Sequence, residues 1–122
     1  MRFLKSMLCS LLGKQNVVPR PEDKDHLRIL YFQAGLQYQI AGRCSAIAWF
    51  SPVSGNLLHH AIEFYLKGAL IKILDERARR KIGHDVGKLW RRYKREIGDT
   101  SLDRFDQTIA DLNKFERIRY PE

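Results

Sequence analysis

Apolar residues recur every three or four positions along most of the chain after residue 20, which is the spacing of one face of an α-helix. The first stretch begins after Pro21, Glu22 and Asp23. Proline and acidic residues favour the first turn of a helix, because unpaired N–H groups point there. The helix must end before Pro52, which cannot donate the hydrogen bond of a helix interior. The apolar face of this predicted first helix is Leu27, Tyr31, Ala34, Tyr38, Ala41 and Ala48.

The same spacing predicts a second helix that begins near Ser54 or Asn56, either of which can accept from free backbone amides. Apolar residues also flank the repeat, so we expect this helix to be central in the fold. Residues 75–83 are highly charged and are predicted to form a connector. The repeat itself consists of Leu58, Ile62, Tyr65, Ala69 and Ile73.

A third helix is predicted from His84-Asp85, with Asp85 as its cap, to Gly98, a typical C-terminal stop. A fourth is predicted from Thr100 onward, and its apolar positions are Leu102, Phe105, Ile109, Leu112 and Phe115. No stretch alternates as a strand does, and the connectors are short. The sequence therefore predicts an all-α, antiparallel four-helix bundle over residues 21–122, preceded by an N-terminal arm over residues 1–20.

Length and composition restrict the class of protein. A chain of 122 residues forms one domain, and its two cysteines are too few for a disulfide scaffold, which favours a reducing, cytoplasmic compartment. Residues 44–62 contain no Asp, Glu, Lys or Arg, and this stretch is long enough to span a membrane. However, Pro52 and Gly55 are typical of a turn, so no transmembrane segment is predicted.

The positive charge is concentrated in one segment. The net charge is +8, and residues 77–95 contain nine basic residues but only one acid, Asp85. The rest of the chain is balanced. Such a concentration favours an anionic partner, although a solvated helix face is the alternative interpretation.

One candidate site lies on the predicted second helix, where His59, His60, Glu63 and Lys67 share a side. Imidazoles, a carboxylate and an ammonium group can bind a polar ligand or transfer protons. Metal binding is the weaker interpretation, because histidine and glutamate four residues apart are common by chance, so no metal or cofactor is predicted. A structural salt bridge is the alternative.

Two further candidates involve the anion-binding chemistry of basic residues. At Gly83-His84-Asp85, free amides of a helix N-terminus together with Arg79, Arg80 or Lys81 could hold an anion, or the segment could only cap the helix. Near the C-terminus, Arg119 beside Tyr120 could clamp a phosphate or stack on a base, or could anchor the last helix.

Three segments resemble the signatures of HEPN domains (the higher-eukaryote and prokaryote nucleotide-binding family). The stretch from His59 to Leu70 is similar to the second-helix signature, with Glu63 and Lys67 in it. Gly83-His84-Asp85-Val86-Gly87-Lys88-Leu89 resembles the segment that opens the third helix, and Arg119-Tyr120-Pro121-Glu122 resembles the Arg-Tyr-Pro-acid ending. Their order and spacing also agree.

The resemblance implies a small helical homodimer. Some HEPN domains are metal-independent ribonucleases, whereas others accompany nucleotidyltransferases in toxin–antitoxin pairs or bind ligands without catalysis. The nuclease members carry an arginine and a histidine separated by four to six intervening residues on the last helix. Here that spacing occurs elsewhere, as in Arg79 and His84, and the predicted fourth helix contains no histidine.

The resemblance therefore favours a non-catalytic module that binds a nucleotide or RNA. Its ligand pocket would comprise His60, Glu63, Lys67, His84, Asp85, Arg119 and Tyr120. Phosphate contacts would come from Arg77, Arg79, Arg80, Lys81, Arg91, Arg92 and Arg95. The alternatives are an endoribonuclease that uses His84 with Arg79 or Arg80, and a companion subunit of a nucleotidyltransferase.

Overall fold

A computed structural model describes residues 23–115, and within this range every regular element is helical. The all-α prediction is confirmed, but residues 23–115 form five α-helices and a 3₁₀ segment where four helices were expected. The N-terminal arm and the Arg119-Tyr120 pair lie outside the described residues. The elements are α1 (Lys24–Ile47), α2 (Ser51–Ala69), α3 (Glu76–Ile82), α4 (Val86–Ile97), the 3₁₀ segment (Thr100–Phe105) and α5 (Asp106–Asn113).

The first two helices form a hairpin joined by residues 48–50. The α1 helix ends at Ile47, before Pro52 as predicted. The α2 helix begins at Ser51, earlier than the predicted Ser54 or Asn56, and Pro52 lies in its first turn. Proline is tolerated there because the amides of a first turn have no partner within the helix.

Glycines on α1 bring the two helices of the hairpin close together. A Cβ atom added to Gly35 would lie 2.9 Å from the Tyr65 ring, and one added to Gly42 would lie 2.9 Å from Leu58. The later residue of α1 contacts the earlier residue of α2, so the two helices are antiparallel. Both glycines are buried, so the close approach depends on the absence of side chains at these positions.

The main core lies at the C-terminal end of α2 and just beyond it, where the chain packs against α4 and α5. The predicted buried stripe of α2 was only partly right: Ala69 is exposed, and Ile73 lies beyond the helix end and is also exposed. The α2 helix contacts α1, α4 and α5 and is therefore central among the described helices. The buried core residues are Leu66, Leu70, Leu74, Val86, Leu89 and Ile109.

The predicted charged connector is a short helix, α3. The carboxylate of Asp75 accepts a hydrogen bond from the Ala78 amide (2.7 Å), and Gly83, at φ +62°, ends the helix. The connector prediction was wrong because α3 is short and highly charged, and its only apolar residues at helical spacing are Ala78 and Ile82, which are partly buried against the core. Its arginine, lysine and glutamate residues nevertheless have good helix propensity.

The remaining boundaries follow the prediction more closely. Asp85 caps α4 by accepting from the Lys88 amide (3.0 Å), and Gly98 ends that helix in the left-handed conformation at φ +69°. The predicted fourth helix does begin at Thr100, but its first six residues are a 3₁₀ turn and the α-helix starts at Asp106. None of the helices between residues 23 and 115 combines the length and apolar character that crossing a bilayer requires.

Candidate functional site

The carboxylate of Glu63 is the centre of the candidate site. Its side chain is 2% exposed in the middle of α2. Lys67, one turn later, donates to Oε1 at 2.6 Å, and its own side chain is 12% exposed. His84, which precedes α4, places Nδ1 2.9 Å from the same oxygen. Two candidates that are separate in the sequence therefore meet at one carboxylate.

Electrostatics keep Glu63 ionised. Burial by itself would raise the pKa of this carboxyl group, but hydrogen bonds and positive charge from Lys67 and His84 outweigh it and lower the pKa below its ordinary value of 4.5. An ionised carboxylate only accepts hydrogen bonds, so Nδ1 of His84 must carry the proton that it shares with Glu63. The His84 side chain is 61% exposed, which leaves Nε2 available to a ligand.

Two buried histidines lie next to the carboxylate. Nδ1 of His60 is 3.5 Å from Oε2 of Glu63, and the ring of His60 packs against Tyr38 with centroids 5.2 Å apart. His59 is equally buried, and its ring meets that of His60 edge-on. The possible ligand atoms of His59, His60 and Glu63 all lie within 4.8 Å of one another, so these three residues could hold a metal ion.

Asp85, another predicted ligand residue, has structural contacts. Besides the Lys88 amide, its carboxylate accepts from the side-chain amide of Asn113 at 3.3 Å. The oxygen of Asn113 in turn accepts from the Val86 amide at 3.1 Å. Two backbone amides at the start of α4 thus already have acceptors within the protein.

Several of the predicted phosphate contacts are engaged within the fold. Arg79 donates to the carbonyl oxygen of Leu74 at 2.6 Å. The ion pairs Arg80–Glu76 and Arg92–Glu96 each join residues four positions apart on one helix. Lys94, which also belongs to the basic segment, contacts both Asp103 and Asp106.

The other predicted phosphate contacts have no such partner within residues 23–115. Arg77 and Lys81 on α3, and Arg91 and Arg95 on α4, form no ion pair with any residue in the range 23–115. The members of each pair are four residues apart and therefore lie on the same side of their helix. The structure thus separates the basic segment into paired and unpaired cations.

One of the unpaired cations, Arg91, contributes to a groove between α4 and α5 with a volume of about 460 Å³. Trp90, Lys94 and Lys114 also line it, and the Trp90 indole donates to Asp106 at 2.6 Å. Lys114 was not among the sequence candidates. The spacing of Arg91 and Lys94 shows that they share a side of α4, but only the packing of α5 adds Lys114 to them.

Comparisons of the chain with known protein families, with curated proteins and with solved structures returned no match. The resemblance to HEPN domains therefore rests on the sequence motifs.

Proposed function

We propose that this chain is a HEPN-like helical module of the cytoplasm that binds the phosphates of a nucleotide or RNA without catalysing a reaction. The observation that supports the proposal is the pair of like-charge neighbours on each of two successive helices. Arg77 with Lys81, and Arg91 with Arg95, lack an acidic partner within the described residues, whereas Arg80 and Arg92 have one.

Like charges four residues apart destabilise a helix by roughly 0.2–0.5 kcal/mol per pair. Two such pairs in consecutive helices are a small cost to the isolated protein. An anionic ligand would remove that cost and turn it into favourable contacts, because phosphate oxygens accept hydrogen bonds from arginine in a bidentate geometry.

His84 supports the same function. It lies between the two helices that carry the unpaired cations, and its hydrogen bond to the buried Glu63 fixes the ring. The exposed Nε2 edge can then contact a phosphate or a base with little loss of side-chain entropy.

Binding of labelled single-stranded RNA, measured by fluorescence anisotropy over a series of salt concentrations, tests the proposal. Each phosphate contact to a single strand contributes about 0.7 to the slope of log K against log salt. The double variant Arg91→Ala/Arg95→Ala should therefore lower the slope by about 1.4 if both residues contact phosphate. The α3 variant Arg77→Ala/Lys81→Ala tests the other pair in the same way.

The double variant Lys24→Ala/Arg43→Ala is the matched control. Both residues are exposed on α1 and form no ion pair within the described residues, and their replacement removes the same number of positive charges. The control should leave the salt slope within experimental error of wild type. An absence of binding at low salt, binding that salt does not weaken, or an equal effect of the control and the α4 variant would contradict the proposal.

The pairing of Glu63 with His84 favours a second candidate, a metal-independent endoribonuclease. A buried carboxylate on Nδ1 leaves Nε2 of an exposed histidine suited to act as a general base. The proposed arginine partners are engaged elsewhere, Arg79 with Leu74 and Arg80 with Glu76, which is why binding is preferred. Cleavage of an RNA pool in EDTA that His84→Ala abolishes would establish the nuclease; equal cleavage by both proteins would eliminate it.

An apolar stripe on α1 favours protein association, either as a homodimer or with a nucleotidyltransferase. Ile29, Leu36, Ile40 and Ile47 lie on one side of the helix, and each is at least half exposed. Their spacings of seven and four residues are those of a helix–helix seam. Analytical ultracentrifugation of the full chain should show a dimer that Leu36→Glu/Ile40→Glu dissociates; a wild-type monomer would rule out the homodimer and leave the partner protein to be tested by co-purification.

A further inference from the structure

The two oxygens of the Glu63 carboxylate have different surroundings. Oε1 accepts hydrogen bonds from Lys67 and His84. Oε2 is fully buried and accepts no hydrogen bond from any residue in the described range. A buried carboxylate oxygen without a donor is costly, because it has lost its hydration without replacement. The contacts of Oε1 with Lys67 and His84 do not explain why Oε2 is buried without a donor.

Oε2 lies 3.5 Å from Nδ1 of His60, and His59 belongs to the same buried cluster. His59 lies one helical turn before Glu63, and His60 lies three residues before it, so both reach the same side of α2. All three side chains are more than nine-tenths buried, and their possible ligand atoms lie within 4.8 Å of one another. The Tyr38 ring packs against that of His60, with centroids 5.2 Å apart.

The distance between His60 and Glu63 is close to the distance between two ligands of one metal ion. Bonds of about 2.0–2.1 Å at a tetrahedral angle separate two zinc ligands by about 3.3 Å. Nδ1 of His60 and Oε2 of Glu63 are 3.5 Å apart and do not form a hydrogen bond. A small rotation of either side chain would place an ion between them.

We propose that His59, His60 and Oε2 of Glu63 form a site for one first-row transition metal ion, with Zn²⁺ as the reference ion. Two imidazoles and one carboxylate are a common zinc set with a fourth position open. Imidazole ligands also suit Co²⁺ and Ni²⁺, whereas Mg²⁺ and Ca²⁺ prefer sites made of oxygen ligands. The metal would bind Oε2 of Glu63, and His84 would keep its contact with Oε1.

Lys67 gives the proposal a distinctive signature. Its ammonium group lies 2.6 Å from Oε1 and therefore competes with a metal ion for the charge of the same carboxylate. Replacing Lys67 with methionine keeps the length of the side chain and removes that competition. Metal affinity should therefore increase several-fold in Lys67→Met, a direction that damage to the fold would not produce.

The test is titration of the EDTA-treated and desalted full chain with Co²⁺, followed by its visible absorption, with displacement by Zn²⁺. Wild type should bind one Co²⁺ per chain with the intense bands of four- or five-coordinate cobalt. His60→Gln and Glu63→Gln should each weaken binding about tenfold or more, since loss of even an outer-shell partner costs 10–100-fold. Circular dichroism confirms that each variant remains helical.

His26→Ala is the control, because His26 is exposed on α1 and away from the ligand set. It should bind Co²⁺ as wild type does. The proposal is overturned if wild type takes up no Co²⁺, if His26→Ala abolishes the signal, or if His60→Gln and Lys67→Met leave the affinity unchanged. The titration contains no RNA, so its result is independent of the proposed phosphate binding.

Discussion

Replacing Glu63 with glutamine tests whether the buried ion cluster stabilises the fold. The chain contains a natural control, because Glu63–Lys67 and Glu76–Arg80 are both glutamate–cation pairs four residues apart on a helix. The Glu63 and Lys67 side chains are 2% and 12% exposed, whereas those of Glu76 and Arg80 are 68% and 80% exposed. The two pairs therefore differ mainly in burial and in the additional contact of Glu63 with His84.

Removing one member of a buried pair costs about 3–5 kcal/mol, because the other charge is left without a partner in a poorly solvated site. Lys67 and especially His84 can regain some hydration, so we expect Glu63→Gln to lower the free energy of unfolding by about 2–4 kcal/mol. Exposed pairs contribute about 0–1 kcal/mol, so Glu76→Gln should cost less than about 0.5 kcal/mol. A total stability of about 5–15 kcal/mol makes this difference easy to measure.

Urea denaturation followed by circular dichroism, at neutral pH with EDTA present, gives both values. The double variant Glu63→Gln/Lys67→Met should be more stable than Glu63→Gln, because it also removes the unpaired ammonium group. The reasoning is refuted if Glu63→Gln loses no more stability than Glu76→Gln.

Three other changes should be measurable by denaturation. The pKa of Glu63 is lower in the folded chain than its ordinary value of 4.5, so the stability that the ionised Glu63 contributes is complete above about pH 4.5 and is lost as the pH falls through the folded pKa. The difference in stability between wild type and Glu63→Gln should therefore shrink at acidic pH, and a constant difference would contradict this. Trp49 has φ +62° and is 92% exposed, so Trp49→Gly should stabilise the protein by about 1 kcal/mol; an unchanged or lower melting temperature would argue against strain at this turn. Asp85→Ala removes the acceptor for the Lys88 amide and should cost about 1 kcal/mol in urea denaturation, whereas a change near zero would show that water replaces this cap.

The phosphate-binding and metal proposals concern opposite sides of one side chain. Glu63 contacts Lys67 and the exposed His84 through Oε1, and its Oε2 lies 3.5 Å from Nδ1 of the buried His60. A ligand on the outer side and an ion on the inner side would therefore share a carboxylate. The two sets of variants separate the sites, since the unpaired arginines belong only to the phosphate proposal and His60 only to the metal proposal.

The sequence by itself determined the features that depend on neighbouring residues. Asp85 and Gly98 delimit α4 as predicted, because a cap needs only a side-chain oxygen near free amides and a left-handed end needs only glycine. The all-helical class follows from the apolar repeat, and the Glu63–Lys67 pair follows from helical spacing alone. These interactions are local, so the chain order is sufficient to predict them.

The tertiary structure decided which of these groups lie together and which are shielded from water. His84 reaches Glu63 across 21 residues, and this contact depends on how α4 packs against α2. Spacing alone does not distinguish Glu63–Lys67 from Glu76–Arg80; only packing buries the first pair and exposes the second. The strength of a charge interaction depends on its solvation. The candidate site is therefore defined by burial, which cannot be predicted from the order of residues alone.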